Sequence, residues 1–171
     1  MPKLTKKALL KHLDKSDKED IIREVVILFD TFKNVKEFYT AELTDEANPM
    51  LERYKKKIKI AYSSENPKER TTNLNVNKLI KEFKKISIYE CDLADLMLHR
   101  VECGVAAFRR NNNRSATFYN CIVNSFEDAI NIISANDYQA EFRLRIHQIL
   151  KTSEPGKFGT PARMKELTKG L

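Results

Sequence analysis

The sequence predicts an all-α protein of seven or eight helices, packed as antiparallel hairpins in a bundle or a short α-solenoid-like arrangement. Apolar residues recur at helical spacing over long segments, and no segment shows the strict two-residue alternation of a half-buried strand. Glycine is scarce, since Gly104 is the only one of four that precedes residue 156. Tight hairpins and nucleotide-binding loops need glycine where the backbone takes positive φ or approaches phosphate, so helices are favoured.

Capping residues indicate where the first four helices begin. Ser16 and Glu19 are spaced as a capping box, in which each side chain bonds the other residue's backbone N–H at a helix start. Asn48 precedes Pro49, and proline is favoured at the first position of a helix. With caps at Thr5 and Asn34 added, the predicted helices cover residues 5–13, 17–32, 34–43 and 49–62.

A polar stretch separates these helices from the rest of the chain. Residues 63–74 contain Pro67 and are the best candidate for a loop or linker. Asn75 then caps a helix that reaches about residue 85. We expect the stretch to lie inside a single helical domain that covers residues 1–152.

The remaining helices follow from the same capping rules. Ser87 and Glu90 form a second capping box, and later caps stand at Ser115 and Asp137. The tail at 153–171 is expected to be irregular, with one last short helix opening at Thr160-Pro161. The predicted helices of this part cover residues 88–110, 115–135 and 137–151.

The helix over residues 88–110 carries the broadest apolar arc. At about 100° per residue, its apolar side chains span more than half of the circumference, so it is expected to pack on two sides as the central element. The helix over residues 115–135 is its expected partner. Gly104 lies on the apolar side, and glycine inside a helix costs up to about 1 kcal/mol, which indicates a close approach of another helix.

The polar face of the same helix brings together the residues most suited to chemistry. Asp92, Asp95, His99 and Glu102 follow the spacing i, i+3, i+7 and i+10 and share one narrow face. Carboxylates and a histidine in this arrangement could hold a divalent ion or transfer protons. The structural interpretation is favoured, because this face lies opposite the apolar arc, where solvated charges are expected, and an Asp–His pair at i, i+4 stabilises a helix.

Most common catalytic and targeting signals do not occur. The sequence contains no G-x-G-x-x-G, G-x-x-x-x-G-K-[ST], G-x-S-x-G or H-E-x-x-H motif, so no cofactor is predicted. Cys91, Cys103 and Cys121 include no C-x-x-C pair, so we expect free thiols in a reducing cytoplasm and no disulfide partner. The longest apolar run, residues 25–29, is too short to span a bilayer, and the N-terminus lacks the apolar segment of a secretory signal, so no membrane partner is expected.

Basic side chains form three clusters that could track a phosphate backbone. The net charge of +7 is spread over both halves of the chain, which is equally typical of solvated helix surfaces. The candidates for a nucleic-acid or anion interface are Lys55, Lys56, Lys59, Lys78, Lys81, Lys85, Arg109 and Arg110.

Arg100 is unusual because it lies on the apolar side of the central helix. Its long side chain is expected either to extend to the rim of the core or to meet a buried carboxylate. A further interpretation is an anion site in a cleft between helices.

Several motifs resemble those of one uncharacterised family of small bacterial proteins. The resemblance is carried by LTKKALLKHL, SDKEDIIREVVILFDTFKNVKEFY, YKKKIKIAY, FKKIS and above all DLADLMLHRVECGVAAF. It implies an all-helical protein of the bacterial cytoplasm, a domain of unknown function, and it supplies no activity, cofactor or catalytic residue. Glu102 and Gly104 match the family's strongest run, whereas Arg100 stands where the resemblance implies an aromatic or apolar residue.

The sequence therefore favours a non-enzymatic helical interaction or scaffold protein that binds a protein, either itself or another. The first alternative is a cytosolic nucleic-acid-associated protein that uses the three basic clusters. The second is a metal-dependent or acid–base enzyme built on Asp92, Asp95, His99 and Glu102.

Overall fold

Helices account for nearly all of the chain that the computed structural model describes. The described residues are 4–43, 48–63, 69–87, 89–110, 115–153 and 160–169. They form no strand and nine helices: α1 (Lys6–Leu13), α2 (Lys18–Thr31), α3 (Lys33–Leu43), α4 (Pro49–Ser63), α5 (Glu69–Ile86), α6 (Glu90–Arg110), α7 (Ala116–Ala135), α8 (Gln139–Thr152) and α9 (Thr160–Leu167). None of these helices is long and apolar enough to cross a membrane. The all-α prediction is confirmed, with eight helices inside residues 1–152 and the ninth in the predicted tail.

Side-chain caps begin three helices as predicted. The hydroxyls of Thr5 and Ser115 each accept a hydrogen bond from the backbone N–H three residues later, which opens α1 and α7. At the start of α4, the amide oxygen of Asn48 accepts a hydrogen bond from the N–H of Met50 at 3.0 Å.

Other predicted caps are wrong, since Asn34 lies inside α3 and the Ser87 hydroxyl donates to the carbonyl of Tyr89. The capping box at Ser16 is also wrong. The Ser16 hydroxyl instead donates to the carbonyl of His12 at 3.0 Å, and Asp17 is the residue that precedes α2.

The predicted linker at 63–74 is wrong in its second part, because α5 already begins at Glu69. Thr72 is buried, so the turn that precedes the predicted cap, Asn75, packs against the core. Such packing outweighs the weak intrinsic helix propensity of threonine and asparagine. Residues 64–68 of the predicted linker lie outside the described residues, as do residues 154–159 of the predicted tail.

The turn between α7 and α8 corrects the predicted cap at Asp137. This residue follows the C-cap Asn136 of α7 and has a φ of 59°, in the left-handed region. The N–H of Tyr138 donates to the carbonyl of Ile133 at 3.0 Å, as in a Schellman motif. Asp137 thus ends α7 in a position that usually favours glycine, and Tyr138 precedes α8.

Contacts divide the chain into an N-terminal unit, Met1–Met50, and a C-terminal unit, Leu51–Leu171. Such groups also occur within one cooperatively folding domain, so the single domain over residues 1–152 stays a prediction. In the N-terminal unit, α2 packs against α3, and the rings of Phe29 and Tyr39 meet edge to face at 6.2 Å.

In the C-terminal unit, α6 is the central helix, as predicted. It packs against α5, α7 and α8, and ten of its residues are buried. Its most extensive contact is with α7, where Phe108 meets Tyr119 and Gly104 meets Ile122, so the two helices run antiparallel. A Cβ atom on Gly104 would lie 2.9 Å from Cγ1 of Ile122, which confirms the predicted close approach.

Candidate functional site

The acidic face of α6 is met by an arginine from α8. Arg145 donates from Nη1 to Oδ1 of Asp95 at 2.6 Å. Its Nε and Nη2 donate to the two carboxylate oxygens of Glu102 at 2.6 and 3.0 Å, a bidentate pair. Burial disfavours the charged guanidinium, but hydrogen bonds to the two carboxylates outweigh burial and raise the pKa of Arg145 above its ordinary value.

A lysine from α4 reaches the same face. Nζ of Lys55 lies 3.0 Å from Oδ2 of Asp95 and 2.9 Å from Oε1 of Glu52. Only 18% of the Lys55 side chain is exposed. Burial disfavours its charge, but the hydrogen bonds to Glu52 and Asp95 outweigh that effect and raise the pKa of Lys55. Asp95 therefore bridges a cation from α4 and a cation from α8.

His99 is held by acceptors on both ring nitrogens. Nδ1 lies 3.6 Å from Oε2 of Glu102, and Nε2 lies 3.2 Å from the backbone carbonyl of Lys55 and 3.5 Å from Sγ of Cys103. A carboxylate and a carbonyl can both be satisfied only when both nitrogens carry protons. Burial opposes that charge, but the hydrogen bonds to Cys103 and Glu102 outweigh it and raise the pKa of His99 to about 9.

Glu102 is the carboxylate that joins the histidine to the arginine. Burial alone would raise its pKa, but hydrogen bonds from His99 and Arg145 outweigh burial and lower the pKa of Glu102 to about 2. His99 and Glu102 are therefore both charged at neutral pH. Proton transfer works best when the pKa of the catalytic group lies near the operating pH, and neither pKa does. The arrangement serves to join α4, α6 and α8. We name it the ionic cluster: Lys55, Asp95, His99, Glu102 and Arg145.

Three of the four residues predicted to share one face of α6 lie in the ionic cluster. The fourth, Asp92, lies in the first turn of α6 and is half-buried. The expectation that this face is solvated is wrong, because the side chains of Lys55 and Arg145 cover it. Within the described ranges, no group of three or more His, Cys, Asp or Glu side chains is arranged to hold a metal ion.

Sequence reasoning missed Arg145 as the organising residue. A signal for it exists, because Arg145 falls at helical spacing among Phe142, Ile146 and Ile149, all of which are buried. An arginine on an apolar stripe indicates a partner with the opposite charge. Nothing in the local pattern, however, points to α6 as the helix that supplies this partner.

Cys103 and Cys91 are unsuited to act as nucleophiles. All three cysteines are free thiols, and Cys103 is 9% exposed. Cys91 donates to Oε1 of Glu141 at 3.3 Å, and burial together with this bond raises the pKa of Cys91 to about 12. Because the thiolate is the reactive form, a raised pKa disfavours reaction at Cys91.

Arg100 meets neither of its two expected surroundings. It is 6% exposed, so it does not reach the rim, and Nη1 donates to the amide oxygen of Asn77 at 2.7 Å. Its Nε has no hydrogen-bond partner, and no ion pair joins Arg100 to a carboxylate among the described residues. Tyr62 lies nearby, and Arg100 partly offsets the increase in the Tyr62 pKa that burial causes. The surroundings are a helix interface.

The basic candidates divide into engaged and exposed side chains. Lys55 belongs to the ionic cluster, and Arg110 donates to the carbonyl of Tyr62 at 2.9 Å. Lys78 lies 4.0 Å from Glu82. The exposed candidates lie on three different helices, α4, α5 and α6, and are Lys56, Lys59, Lys81, Lys85 and Arg109.

The N-terminal unit presents apolar side chains to solvent. Helices α1 and α2 contain no buried residue. Six of their large apolar side chains are between 43% and 57% exposed. We name them the N-terminal apolar surface: Leu9, Leu10, Ile22, Val26, Ile27 and Leu28.

A family model for DUF6155, described as a family of unknown function, matches residues 4–159. The chain belongs to this family. No curated protein and no solved structure matches the chain. Membership of DUF6155 agrees with the predicted resemblance to a domain of unknown function, and it assigns no activity to the ionic cluster or to the N-terminal apolar surface.

Proposed function

We propose that this DUF6155 protein is a non-enzymatic helical interaction protein and that its N-terminal unit is the docking element. One observation carries the proposal. The two helices that contain no buried residue, α1 and α2, also carry the N-terminal apolar surface. Large apolar side chains that stay in water are unfavourable, and a concentration of them on two neighbouring helices indicates an interaction site.

The proposed setting is the bacterial cytoplasm. The family resemblance implies this setting. The free thiols of Cys91, Cys103 and Cys121 suit a reducing compartment, since paired cysteines are typical of oxidising ones.

The partner that suits the N-terminal apolar surface is a second copy of this chain. Between residues 6 and 13, α1 carries three lysines and no acidic residue. Between residues 18 and 31, α2 carries four acidic and two basic residues, so its net charge is −2. Within one chain these helices already meet where Nε2 of His12 lies 3.3 Å from Oε1 of Glu24. In a two-fold arrangement with α1 of one copy against α2 of the other, a basic helix would meet an acidic one, and this favours the pairing electrostatically.

A second copy also brings an equal apolar surface to the contact. Stable interfaces bury about 1,200–2,000 Å² in total, or roughly 800 Å² per partner. Six half-exposed large side chains on each copy, together with the polar rim around them, are of the right order for such an interface. A unit of this length buries a small share of its own surface, so an additional contact stabilises it.

The test is sedimentation velocity of the full chain over a range of concentrations. We expect a dimer. The double substitution Ile22→Glu and Val26→Glu places four unpaired carboxylates in the symmetric interface and is expected to raise the dissociation constant more than about hundredfold. The matched control is Leu144→Glu, which changes an apolar side chain of α8 that is 80% exposed, and it is expected to leave the dimer intact.

Charge reversal tests the pairing of α1 with α2. We expect Lys7→Glu with Lys11→Glu to weaken the dimer, and Glu19→Lys with Asp20→Lys to do the same. A mixture of these two variants should form heterodimers, because both α1–α2 contacts then join opposite charges, one as in the wild type and one with the signs reversed. A wild-type chain that stays monomeric at all concentrations, or a Leu144→Glu variant that dissociates equally, would overturn the proposal.

A further inference from the structure

A cavity of about 410 Å³ opens along α8 in the C-terminal unit. Its apolar part includes Ile146 and Leu150, and its polar part includes Arg143 and His147, with Thr168 on the opposite side. Small-molecule sites have volumes of about 300–1,000 Å³ and combine an apolar lining with a few polar groups. The cavity therefore has the size and the composition of a small-molecule site.

The two arginines of α8 differ in their partners. The guanidinium of Arg145 forms ion pairs with Asp95 and Glu102. Arg143 lies two residues earlier, so it points to the other side of the helix, toward the cavity. In the part of the chain that the structure describes, no acidic side chain forms an ion pair with Arg143. Its guanidinium is available to an anion that enters the cavity.

His147 extends the polar wall that Arg143 begins by one turn. Residues four apart lie on the same face of a helix. The guanidinium N–H groups of Arg143 and the ring N–H group of His147 are therefore presented side by side. Gln139 continues the same row one turn earlier and adds an amide. A planar guanidinium matches a carboxylate or a phosphate through two parallel hydrogen bonds.

We propose that this cavity binds a small amphipathic organic anion. Arg143 and His147 hold the anionic head, a carboxylate or a phosphate ester, and the apolar body packs on Ile146 and Leu150. The inference rests only on residues of the C-terminal unit, so it stands or falls independently of the proposed dimer.

The test is a titration of the isotope-labelled full chain, followed by amide chemical shifts at low ionic strength. The probes are hexanoate and hexyl phosphate, which share an apolar body and differ in the head group, together with hexanol and inorganic phosphate. We expect saturable shifts at α8 and at Thr168 with at least one of the two anions. Hexanol lacks the charge and inorganic phosphate lacks the apolar body, so each is expected to bind at least tenfold more weakly.

Two variants locate the head group. Arg143→Gln removes the charge at an exposed position and is expected to weaken binding of the anion at least tenfold. Ala140→Glu, one turn before Arg143, supplies an internal carboxylate that occupies the guanidinium, and it is expected to abolish binding. Lys151→Gln removes one positive charge from the same helix outside the cavity lining, and we expect it to change affinity less than twofold.

Each opposing result is decisive. Equal affinity for hexanol and the two anions would make the cavity a purely apolar pocket. Equal affinity for inorganic phosphate, or equal weakening by Lys151→Gln and Arg143→Gln, would reduce the effect to general charge attraction. No saturable shift with either anion would overturn the proposal outright.

Discussion

The two units use their apolar residues in opposite ways. Helix α2 contains the most apolar run of the chain, residues 25–29, yet none of its residues is buried. In helix α6, charged residues stand between the apolar ones, yet ten residues of this helix are buried. Burial therefore depends on how many neighbouring helices surround an element, and local apolarity alone does not determine it.

The contrast extends to charge. In the N-terminal unit, the side chains of the His12–Glu24 pair are 59% and 49% exposed, and exposed pairs contribute little to stability. In the C-terminal unit, Arg145 and Asp95 are 24% and 23% exposed and share further partners. The C-terminal unit thus combines an apolar core with a half-buried ionic cluster, and the described residues of α1 and α2 in the N-terminal unit form neither.

The sharpest test of this comparison replaces one isoleucine in each unit. Ile58 of α4 is fully buried, so Ile58→Ala is expected to lower the free energy of unfolding by about 3 kcal/mol. Ile22 is half exposed, so Ile22→Ala is expected to lower it by less than about 0.5 kcal/mol in dilute protein, where no dimer forms. Urea denaturation followed by circular dichroism measures both. Equal losses would contradict the distinction between the units.

The next largest effect concerns the ionic cluster. Arg145→Ala leaves the half-buried carboxylates of Asp95 and Glu102 without their shared cation, and we expect a loss of about 2–3 kcal/mol in the free energy of unfolding at pH 6. The matched control is Arg143→Ala on the same helix, with an expected change below about 0.5 kcal/mol. If the two variants lose the same free energy, the cluster is no more important than ordinary surface charge.

The pH dependence of stability should follow from His99 and Glu102. The pKa of His99 is raised from 6.5 to about 9, so its contribution is fully present below pH 6.5 and is lost as the pH rises toward 9. The pKa of Glu102 is lowered from 4.5 to about 2, so its contribution is present above pH 4.5 and is lost as the pH falls toward 2. Stability is therefore expected to be highest between these limits.

The His99 part of this profile can be isolated by substitution. We expect the wild type to lose about 2 kcal/mol of unfolding free energy between pH 6.5 and 9, and His99→Gln to remove most of that decline. His147→Gln is the control, because no hydrogen bond or ion pair among the described residues joins His147 to the ionic cluster, and it should keep the wild-type slope. An unchanged slope in His99→Gln would show that His99 is not held as an imidazolium.

The smallest expected effect is a gain in stability at the turn after α7. Asp137 holds a φ of 59°, which glycine adopts without strain from a Cβ atom. Asp137→Gly is expected to raise the free energy of unfolding by about 0.5–1 kcal/mol. Asn136→Gly, one residue earlier at a φ of −119°, should not stabilise, because that backbone conformation is open to all residues. Thermal unfolding of both variants distinguishes the two positions.

Much of the fold could be predicted because the sequence signals for a helix lie within the helix and its caps. The apolar arc of α6 and the cap at Ser115 each depend on residues within a few turns of one another, and Gly104 could be singled out because it lies on that arc without a side chain. The errors arose where packing or a backbone hydrogen bond outweighs the propensity of single residues. Thr72 is helical because it is packed, and Asp137 ends a helix because Tyr138 bonds back to α7, which no propensity scale includes.

About half of the candidate site could be predicted from the sequence. The i, i+3 and i+4 spacings placed Asp95, His99 and Glu102 on one face correctly. Their partner Arg145 lies 43 and 50 residues further along the chain, and the pattern on α6 says nothing about which helix will cover it. The face consequently looked solvated, although it is half-buried against two other helices. Pair contacts at such separations follow from topology, which a single sequence does not specify.

The absence of a side chain at Gly104 affects the order in which the helices separate from one another as the protein unfolds. Because Cγ1 of Ile122 occupies the space that a Cβ atom would need, the backbones of α6 and α7 lie unusually close there. Water reaches such a seam only when the helices separate. Amide protons of α6 and α7 around this point should therefore exchange with deuterium most slowly in the chain, by global unfolding, while those of α1 and α2 exchange through local fraying.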